Sequence, residues 1–542
     1  MSARSLVIGL DGADLDVVRA LGPTELPFLH RLMREGTFAS LQSVMPPATL
    51  PNWLTFLTGT DPGEHGVFDF TVREGYRVRF VGGTVREVPT LAARLDAMGH
   101  SCAVLSFPGT WPPEHLEHGI FVSGWDSPVA FEADRSFVWP PDLYDEICDQ
   151  FGPPRFDDVG ELDGIGGDWH ERLGGELADR VQRKTELARY LLAKKRWDLF
   201  MVYFGESDTA AHHLWSLHDP ASPRRPAMAS ERAQQGLATA YRALDVAVDA
   251  LVEAAGGEGV EVTVVSDHGS GGSSDKVLYL NRVLESAGLL HFNAMPRNVS
   301  FARWAREAAL RRLGPRLRQR LFSASDALLP NALESRARFG AIDMTRTIAF
   351  SDELNYFPAI HFNVAGREPQ GILDSCDMDR ATRDVEGALL ALVDPWTGAK
   401  VVRAVTPREG LFRGPHVTRA PDLLLELHLD GGYSYNLLPT GGAPPGTGPW
   451  RKLDPSEYLG KKGRSLPGSH RPKGVWIARG PRVQAAGQIE AHIMDASATL
   501  LSRMDVALPG LGGTALAHRD VAPSAKEKSI IVGRLRNLGY ID

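Results

Sequence analysis

The first half of the chain alternates short apolar runs with longer segments whose apolar residues recur every three or four positions. Four runs have the length and content of buried strands, at residues 6–10, 103–107, 199–204 and 260–265. Between the last two runs, the spacing of an amphipathic helix is kept by Leu237, Tyr241, Leu244, Val248 and Leu251. Strands that alternate with helices in this way predict an α/β fold, a doubly wound and mostly parallel sheet.

The later sequence predicts an insertion and a return to the sheet. Between residues 297 and 338 arginine is frequent, and the acids are Glu307, Asp326 and Glu334. This segment is either a basic lid that contacts an anionic surface, or a set of solvated helix faces with internal ion pairs. Apolar strand-like runs resume at 359–364 and 423–427, and 437–470 has the composition of a long surface excursion. We therefore divide the chain into 1–290 (core, first part), 291–399 (inserted helical cap), 400–525 (core, second part) and 526–542 (tail).

Composition and charge exclude several classes of protein. The chain has 542 residues, of which 43% are hydrophobic and 23% charged, as in ordinary globular proteins of more than one folding unit. A net charge of −8 argues against nucleic-acid binding, but bound metal ions would still permit an anionic substrate. The three cysteines, Cys102, Cys148 and Cys376, are too scattered for a disulfide framework or a thiolate zinc site. Neither a signal peptide nor a run of roughly 18 apolar residues occurs, so a cytoplasmic, non-membrane protein of undetermined oligomeric state is expected.

Carboxylates and imidazoles follow three of the predicted strands. Asp11 comes directly after the first strand, and Asp267-His268-Gly269 follows the strand at 260–265. Asp208 and His212 lie four residues apart just past the strand at 199–204, so on a helix they would share a face. Spacing also leaves His213 and His218 as alternatives to His212 for the ligand. Each motif alone has an ordinary explanation as a turn or a loop hydrogen bond. Together, at the carboxyl ends of parallel strands, they predict a site for zinc or manganese.

Thr49 is the candidate nucleophile. A helix is predicted from Leu50 onward with Pro51 in its first turn, which would make Thr49 the N-cap residue. The ordinary role of such a threonine is capping. However, a helix N-terminus also stabilises an anion, and a metal ion beside the hydroxyl would ease loss of its proton.

The motifs taken in order resemble a known family. They are 9–12 (Gly-Leu-Asp-Gly), 48–52 (Ala-Thr-Leu-Pro-Asn), 58–59 (Thr-Gly), 65–67 (His-Gly-Val), 208–212 (Asp-x-x-x-His), 266–269 (Ser-Asp-His-Gly) and 468–470 (Gly-Ser-His). This order resembles the type I phosphodiesterase/nucleotide pyrophosphatase branch of the alkaline-phosphatase superfamily. It resembles more closely a group of bacterial predicted phosphohydrolases or phosphomutases of that superfamily, whose further signatures match residues 363–371, 420–423 and 534–540.

The resemblance implies an alkaline-phosphatase-like fold and two divalent metal ions, Zn²⁺ or Mn²⁺. One ion would be held by Asp208, His212 and His470, and the other by Asp11, Asp267 and His268, with Thr49 also at the second. Only the family motif selects His470. Thr49 would be phosphorylated transiently before water releases the product, and Asn52 and Arg471 are candidates for substrate contacts.

Two departures from the family pattern affect the expected substrate. The diesterase branch usually has an asparagine soon after the His-Gly pair, where this chain has Phe68, Asp69 and Phe70, and His470 is followed by Arg471 instead of glycine. The leading interpretation is a metal-dependent hydrolase of a small phosphate monoester or diester, like the nucleotide pyrophosphatases and phosphodiesterases. A phosphomutase of the same superfamily and a non-catalytic metal-bearing protein that binds phosphorylated ligands are the alternatives.

Overall fold

The structure is a computed structural model that describes residues 3–81, 83–124, 133–152, 168–293, 335–336, 338–354, 358–443, 446–460 and 465–516. The predictions for the tail at 526–542, and for nearly all of the arginine-rich segment at 297–338, lie outside these residues. Within them, no helix has the length and apolar content needed to cross a membrane.

The strands of the described residues are numbered here in chain order. They are β1 (Ala3–Leu10), β2 (Thr37–Gln42), β3 (Thr71–Glu74), β4 (Arg77–Phe80), β5 (Cys102–Leu105), β6 (Ile120–Val122), β7 (Val138–Trp139), β8 (Trp197–Phe204), β9 (Glu261–Val265), β10 (Gly269–Leu278), β11 (Ala349–Phe350), β12 (Ala359–Phe362), β13 (Val402–Pro407), β14 (Leu423–Leu427), β15 (Ser434–Leu437), β16 (Trp450–Lys452), β17 (Gly468–Arg471), β18 (Lys473–Arg479) and β19 (Gly487–His492).

The α-helices are numbered in the same way. They are α1 (Leu15–Glu25), α2 (Pro27–Glu35), α3 (Thr49–Thr58), α4 (Pro62–His65), α5 (Leu91–Asp96), α6 (Asp142–Phe151), α7 (Trp169–Lys194), α8 (Glu206–His218), α9 (Glu231–Gln234), α10 (Gly236–Ala255), α11 (Leu280–Ser286), α12 (Met378–Leu390), α13 (Arg408–Leu411) and α14 (Ile493–Arg503).

The largest sheet of the described residues has nine strands in the order β19-β2-β18-β9-β1-β8-β5-β6-β7. Its centre is parallel, because β1 pairs in parallel with both β8 and β9, and β5 pairs in parallel with β6 and β8. β18 runs antiparallel between β9 and β2. The four predicted strands are confirmed as β1, β5, β8 and β9, the predicted amphipathic helix is confirmed as α10, and the mostly parallel α/β architecture is confirmed with them.

Helices cover both faces of this sheet. Leu6 and Ile8 of β1 lie in one buried cluster, with apolar residues of α7 and α10, while Val7 lies in a second cluster with Leu54 of α3. Consecutive residues of a strand point to opposite faces, so a strand buried on both sides must be apolar at nearly every position. This explains why β1 is a continuous apolar run without alternation.

Four strands between Ala349 and Leu427 form a separate sheet, which we call the smaller sheet. Its strand order is β11-β12-β14-β13. It has its own buried cluster, which includes Ile360, Phe362 and Leu423. β13 and β14 follow residue 399 but pair with each other, and β14 also pairs with β12. The chain therefore returns to the nine-stranded sheet only at β18. The division at residues 290, 399 and 525 stays a prediction, and this pairing places 402–427 with the smaller sheet.

An ion network explains the motifs at 363–371 and 420–423. Arg367 binds Asp422 through two hydrogen bonds of 2.6 and 2.7 Å, and its Nε donates to Glu368. Glu368 also binds Arg73 of β3 at 3.0 and 3.1 Å, which attaches the β3–β4 hairpin to the smaller sheet. Bidentate pairs of this kind fix orientation, so these motifs have a structural role here.

The segment at 437–470 is only in part the surface excursion that its composition predicts. β16 pairs with Lys276–Leu278 of β10, and Leu453 and Leu466 are buried. The buried Arg224 guanidinium donates to the carbonyl oxygens of Ser465 and Leu466. A Gly- and Pro-rich sequence can therefore be fixed by side chains distant in the chain.

Candidate active site

Three carboxylates come from the ends of three neighbouring parallel strands. β9, β1 and β8 are adjacent in the sheet, and Asp267, Asp11 and Asp208 respectively lie just past their carboxyl ends. Gly12 follows Asp11 with a φ of +60°, and a Cβ at this position would lie 2.7 Å from Asp208 Oδ1. Glycine is therefore required both by the left-handed backbone and by the close approach of Asp208.

Three imidazoles reach the same place by different routes. His268 follows Asp267 directly, and His212 lies one helical turn after Asp208 on α8, as predicted. His470 is in β17, which pairs antiparallel with β10 so that His470 stands opposite Ser270. Because β10 begins directly after His268, this pairing brings His470 onto His268, with ring centroids 3.7 Å apart.

The first group of ligand atoms is formed by Asp208, His212 and His470. Asp208 Oδ1 lies 3.3 Å from His212 Nε2 and 3.7 Å from His470 Nε2, and the two Nε2 atoms are 3.1 Å apart. This is the set that the resemblance implies for one ion.

The second group has one more candidate ligand than expected. His268 Nε2 lies 3.2 Å from Asp267 Oδ2 and 3.5 Å from Asp11 Oδ1, as the implied second set requires. Ligand atoms of Asp11, Asp208 and His268 also lie within 4.8 Å of one another. Asp208 thus lies between the two groups and could serve either.

Backbone carbonyls orient all three imidazoles. The Nδ1 atoms of His212, His268 and His470 lie 3.2, 2.9 and 2.8 Å from the carbonyl oxygens of Gly468, Gly269 and Pro47. A carbonyl only accepts, so each Nδ1 carries the hydrogen, and each ring is thereby oriented with Nε2 toward the carboxylates. The Nε2 atoms of His212 and His470, 3.1 Å apart, are close enough to bind one metal ion together.

Hydrogen bonds from neighbouring groups fix the carboxylates of Asp11 and Asp267. Asp11 Oδ2 accepts from Tyr203 Oη at 2.6 Å and from Trp53 Nε1 at 3.0 Å, and Asp267 Oδ1 accepts from the Gly12 amide at 3.1 Å. Among the described residues, Asp11 Oδ1 and Asp267 Oδ2 are buried and have no hydrogen-bond partner. One oxygen of each carboxylate is therefore held and the other is left for a ligand, as in metal sites whose ligands are oriented by outer hydrogen bonds.

In the absence of a cation, the site disfavours the ionised form of one carboxylate and the protonated form of one imidazole. Burial, and then the neighbouring Asp11 carboxylate, raises the pKa of Asp267 well above its ordinary value. Burial, and then His268 and His212, lowers the pKa of His470 well below its ordinary value. Carboxylates and imidazoles that are buried or partly buried are the donor set that zinc and manganese bind, so the residues present fit the implied ions.

Thr49 lies beside this cluster at the start of α3. The helix begins at Thr49 with Ala48 as its N-cap, so the prediction that Thr49 is the N-cap was wrong by one position. No side-chain capping bond is made, and Thr49 Oγ1 lies 3.4 Å from His268 Nε2. The hydroxyl is thus turned toward the candidate ligands, close to the amide groups that an α-helix leaves without intrahelical partners in its first turn.

The side chain of Asn52 bonds the backbone of the loop that precedes it, and the predicted substrate contact stays a prediction. Its Oδ1 accepts from the Val44 amide at 2.8 Å, and its Nδ2 donates to the Pro46 and Ala48 carbonyls at 2.8 and 2.9 Å. Both amide hydrogens are taken up within residues 43–48, which we call the nucleophile loop. These contacts favour a role in positioning Thr49.

Arg471 is held in a similar way. Its Nη2 donates to the Gly272 and Gly432 carbonyls at 2.9 and 3.0 Å, and its Nη1 donates to the His470 carbonyl at 3.1 Å. Burial lowers its pKa to about 10, still well above neutral pH. The contacts favour a structural role that fixes β17, and with it His470, in place of the predicted substrate contact.

His65 supports α3, the helix that begins at Thr49, from the side. Its Nδ1 accepts from the Val67 amide at 3.3 Å, so its Nε2 carries the hydrogen and donates to Thr55 Oγ1 of α3 at 3.1 Å. Burial lowers the pKa of His65 to about 3, which keeps the ring neutral. The His-Gly motif therefore positions α3 and lies apart from the candidate ligands.

Sequence reasoning missed the two aromatic donors to Asp11. A signal exists for Tyr203, since a tyrosine in an otherwise apolar buried strand must find a partner for its hydroxyl. Trp53 follows Thr49 by one helical turn and would share its face. Spacing alone had not decided between His212 and His213 as the candidate ligand. In the structure His213 lies against Trp169, with ring centroids 5.0 Å apart.

Comparison with known proteins gives one family. The family model described as type I phosphodiesterase/nucleotide pyrophosphatase matches residues 5–431. Human ectonucleotide pyrophosphatase/phosphodiesterase 5 is 13% identical over 94% of this chain and 97% of that chain, with a TM-score of 0.48. Phosphonoacetate hydrolase from Sinorhizobium meliloti 1021, in complex with phosphonoformate, is 15% identical over 93% of this chain and 96% of that chain, with a TM-score of 0.49.

Proposed function

The chain belongs to the type I phosphodiesterase/nucleotide pyrophosphatase family of phosphoester hydrolases, and we propose that it is a two-metal enzyme with Thr49 as its nucleophile. The observation that carries this proposal is the position of Thr49 Oγ1, 3.4 Å from His268 Nε2 at the edge of the ligand cluster. Asp208, His212 and His470 would hold one ion, and Asp11, Asp267 and His268 the other. The substrate is a small phosphate monoester or diester.

The reaction proceeds in two displacements at phosphorus. Thr49 Oγ1 loses its proton and forms a bond to phosphorus while one ester oxygen leaves and is released, with a proton, as the alcohol; a monoester gives a phosphothreonine, and a diester gives a phosphothreonine that still carries the second ester group. Water then attacks phosphorus, the bond to Thr49 Oγ1 breaks, and phosphate or a phosphomonoester is released. When bound, the divalent ions supply positive charge against the phosphoryl oxygens and lower the pKa of the attacking hydroxyl.

The residues around Thr49 supply orientation and a favourable field. The position of Thr49 at the start of a helix exposes the phosphoryl group to backbone amides and to the positive end of the helix dipole. Asn52 fixes the nucleophile loop, and His65 fixes the helix behind it. The Thr49 hydroxyl lies beside His268 Nε2, the atom that would hold the second ion, and no capping bond competes for the hydroxyl.

Replacement of Thr49 tests the proposal. Metal-reconstituted protein is assayed with p-nitrophenyl phosphate and bis(p-nitrophenyl) phosphate, and Thr49→Ala is expected to lower kcat by at least about 10³-fold while bound metal is retained. Thr49→Ser keeps the hydroxyl and should keep measurable turnover. Undiminished turnover in Thr49→Ala would remove Thr49 from the mechanism, and absence of turnover in every form would favour a ligand-binding protein.

Removal of metal and analysis of products complete the test. A chelator should abolish turnover, and added Zn²⁺ or Mn²⁺ should restore it, with the more effective ion identified by titration. Free phosphate from a monoester, or a phosphomonoester from a diester, indicates a hydrolase, whereas an isomer of the substrate with little free phosphate would indicate a mutase.

A further inference from the structure

A fully buried carboxylate begins the helix that carries two of the candidate ligands. Glu206 is the first residue of α8, which also contains Asp208 and His212, and its side chain is 0% exposed. Only Gly205 separates Glu206 from the end of β8. Because a charged side chain is rarely buried without a partner, the groups around this carboxylate show what it does in the fold.

Two cations of α7 lie beside the carboxylate. Glu206 Oε1 is 2.8 Å from Lys184 Nζ and 3.4 Å from Arg180 Nε. Arg180 and Lys184 are one helical turn apart and therefore share a face of α7. The lysine and arginine side chains are 26% and 24% exposed, so they reach solvent whereas the carboxylate does not. We call these three side chains the ion cluster.

The ion cluster lies at the carboxyl end of β8. Lys184 Nζ is 5.7 Å from the centroid of the Tyr203 ring and 5.9 Å from that of the Phe204 ring, the last two residues of this strand. The Tyr203 hydroxyl in turn donates to Asp11 Oδ2 at 2.6 Å. A Cβ on Gly205 would lie 2.9 Å from Tyr203 Oη, so the chain between β8 and α8 passes close to this hydroxyl. The ion cluster therefore contacts the strand end from which the candidate ligands project.

Three consecutive residues of α8 make contacts on different sides of the helix. Glu206 binds the cations of α7, and the Ser207 hydroxyl donates to the Asp11 carbonyl at 2.6 Å. Asp208 belongs to the candidate metal site. Successive side chains of an α-helix are rotated by about 100°, so contacts at residues 206 and 207 fix the direction in which residue 208 points. The rotation of this first turn thus sets the distance of 3.7 Å between Asp208 Oδ1 and His470 Nε2 of β17.

Stability alone does not explain an ion cluster at this position. Removing charges from water costs free energy that their attraction repays only in part, and apolar side chains of similar volume often stabilise a fold equally well. An acid in the first turn of a helix interacts favourably with the helix dipole, but that interaction needs no buried partner. An ion pair, unlike apolar packing, requires one relative position of two charged groups. The ion cluster therefore fixes the start of α8 against α7.

We propose that Glu206 is a positioning residue for the first group of ligand atoms and that it acts on this group through Asp208. The inference rests on the proposed function, in which the first group holds one of two ions. The carboxylates of the second group follow β1 and β9 and do not lie on α8, so the ion of the second group depends less on Glu206. Loss of the ion cluster is therefore expected to weaken the binding of one metal ion selectively.

Metal titration of a neutral variant tests the inference. Glu206→Gln removes the negative charge and keeps the size of the side chain. Zn²⁺ affinity is measured by competition with a chromophoric chelator, and His212→Ala, which lacks a ligand of the first group, shows which binding step belongs to that group. In Glu206→Gln the affinity of this step should fall roughly 10- to 100-fold, while the other ion binds nearly as in the wild type.

Replacement of the closest cation tests the same contact from the other side. Lys184→Met should also weaken the ion of the first group, and Lys184→Arg, which keeps a cation, should retain most of the affinity. Because Glu206 and Lys184 act through one contact, the double variant Glu206→Gln/Lys184→Met should lose less affinity than the two single variants combined, and fully additive losses overturn the inference. If Glu206→Gln does not fold, Lys184→Met decides, because the side chain of Lys184 is partly exposed and its loss leaves Glu206 beside Arg180.

Asp394→Asn is the matched control for the loss of a buried negative charge. The side chain of Asp394 is 0% exposed, and its Oδ2 accepts from Lys276 Nζ at 2.6 Å. In the part of the chain that the structure describes, neither residue contacts a candidate ligand. This variant should therefore lose unfolding free energy and keep both Zn²⁺ affinities.

Two results overturn the inference. Equal weakening of both ions in Glu206→Gln would show a general structural role, and unchanged affinity of the folded variant would show that Glu206 does not position the ligands. A wild-type protein that binds no divalent ion refutes the proposed function as well. Two intact binding steps in the wild type therefore distinguish failure of the inference from failure of the proposed function.

Discussion

Removal of the Tyr203 hydroxyl tests how much one hydrogen bond to the candidate metal ligand Asp11 contributes to metal binding. The hydroxyl donates to Asp11 Oδ2 at 2.6 Å, and the ring packs against Trp53 and Phe107 at centroid distances of 5.5 and 5.7 Å. Tyr203→Phe should therefore keep the packing and lose one hydrogen bond to a carboxylate. Such a bond contributes about 1.5–3 kcal/mol, and Asp11 Oδ2 retains the bond from Trp53.

The loss should appear mainly as weaker metal binding. Hydrogen bonds behind a metal ligand contribute about 10- to 100-fold to metal affinity or activity, so we expect a decrease of that size in Tyr203→Phe. Metal affinity is measured by competition with a chromophoric chelator, and kcat/KM is measured with p-nitrophenyl phosphate at saturating metal.

Tyr241→Phe is the matched control. Tyr241 is as deeply buried as Tyr203, but its hydroxyl accepts from the Asp14 backbone amide at 3.2 Å and contacts no candidate ligand. It should lose about 1 kcal/mol of unfolding free energy and keep wild-type metal affinity. If Tyr203→Phe folds normally and binds metal as tightly as the wild type, or if both variants lose affinity equally, the assignment of Asp11 as a supported ligand is refuted.

Two further substitutions test the structure around α3. The folded His65 has a pKa of about 3, whereas the unfolded residue takes up a proton near its ordinary value, so stability is full above about pH 6.5 and falls as the pH is lowered through that value. Between pH 7 and pH 5 the wild type should lose about 2 kcal/mol more unfolding free energy than His65→Gln, measured by urea denaturation, and equal slopes would contradict the assignment. A Cβ on Gly9 would lie 2.8 Å from Trp53 Cη2 and 3.0 Å from Phe107 Cε1, so Gly9→Ala should destabilise the protein by about 1–3 kcal/mol. An unchanged urea midpoint would show that the two rings move aside at little cost.

Parts of the site depended on contacts that no local pattern records. Asn52 and Arg471 carry the donors expected of substrate-binding residues, and only the structure shows those donors bonded to nearby carbonyls. His361 lies in an apolar strand, where a single histidine has no distinctive spacing. Its contact with Asp352, which Arg338 also approaches, is recorded only in the structure.

The sequence by itself determined four of the nine strands of the largest sheet, helix α10 and the carboxylates at the strand ends. Burial on one or both faces leaves a periodic pattern within a single element, and an acid just past an apolar strand can be read from adjacent residues. What joins His268 to His470, or Thr49 to His268, is the order of strands in the sheet and the pairing of β10 with β17. Those contacts span hundreds of residues, and because they form only when whole elements pack together, the tertiary structure alone decided them.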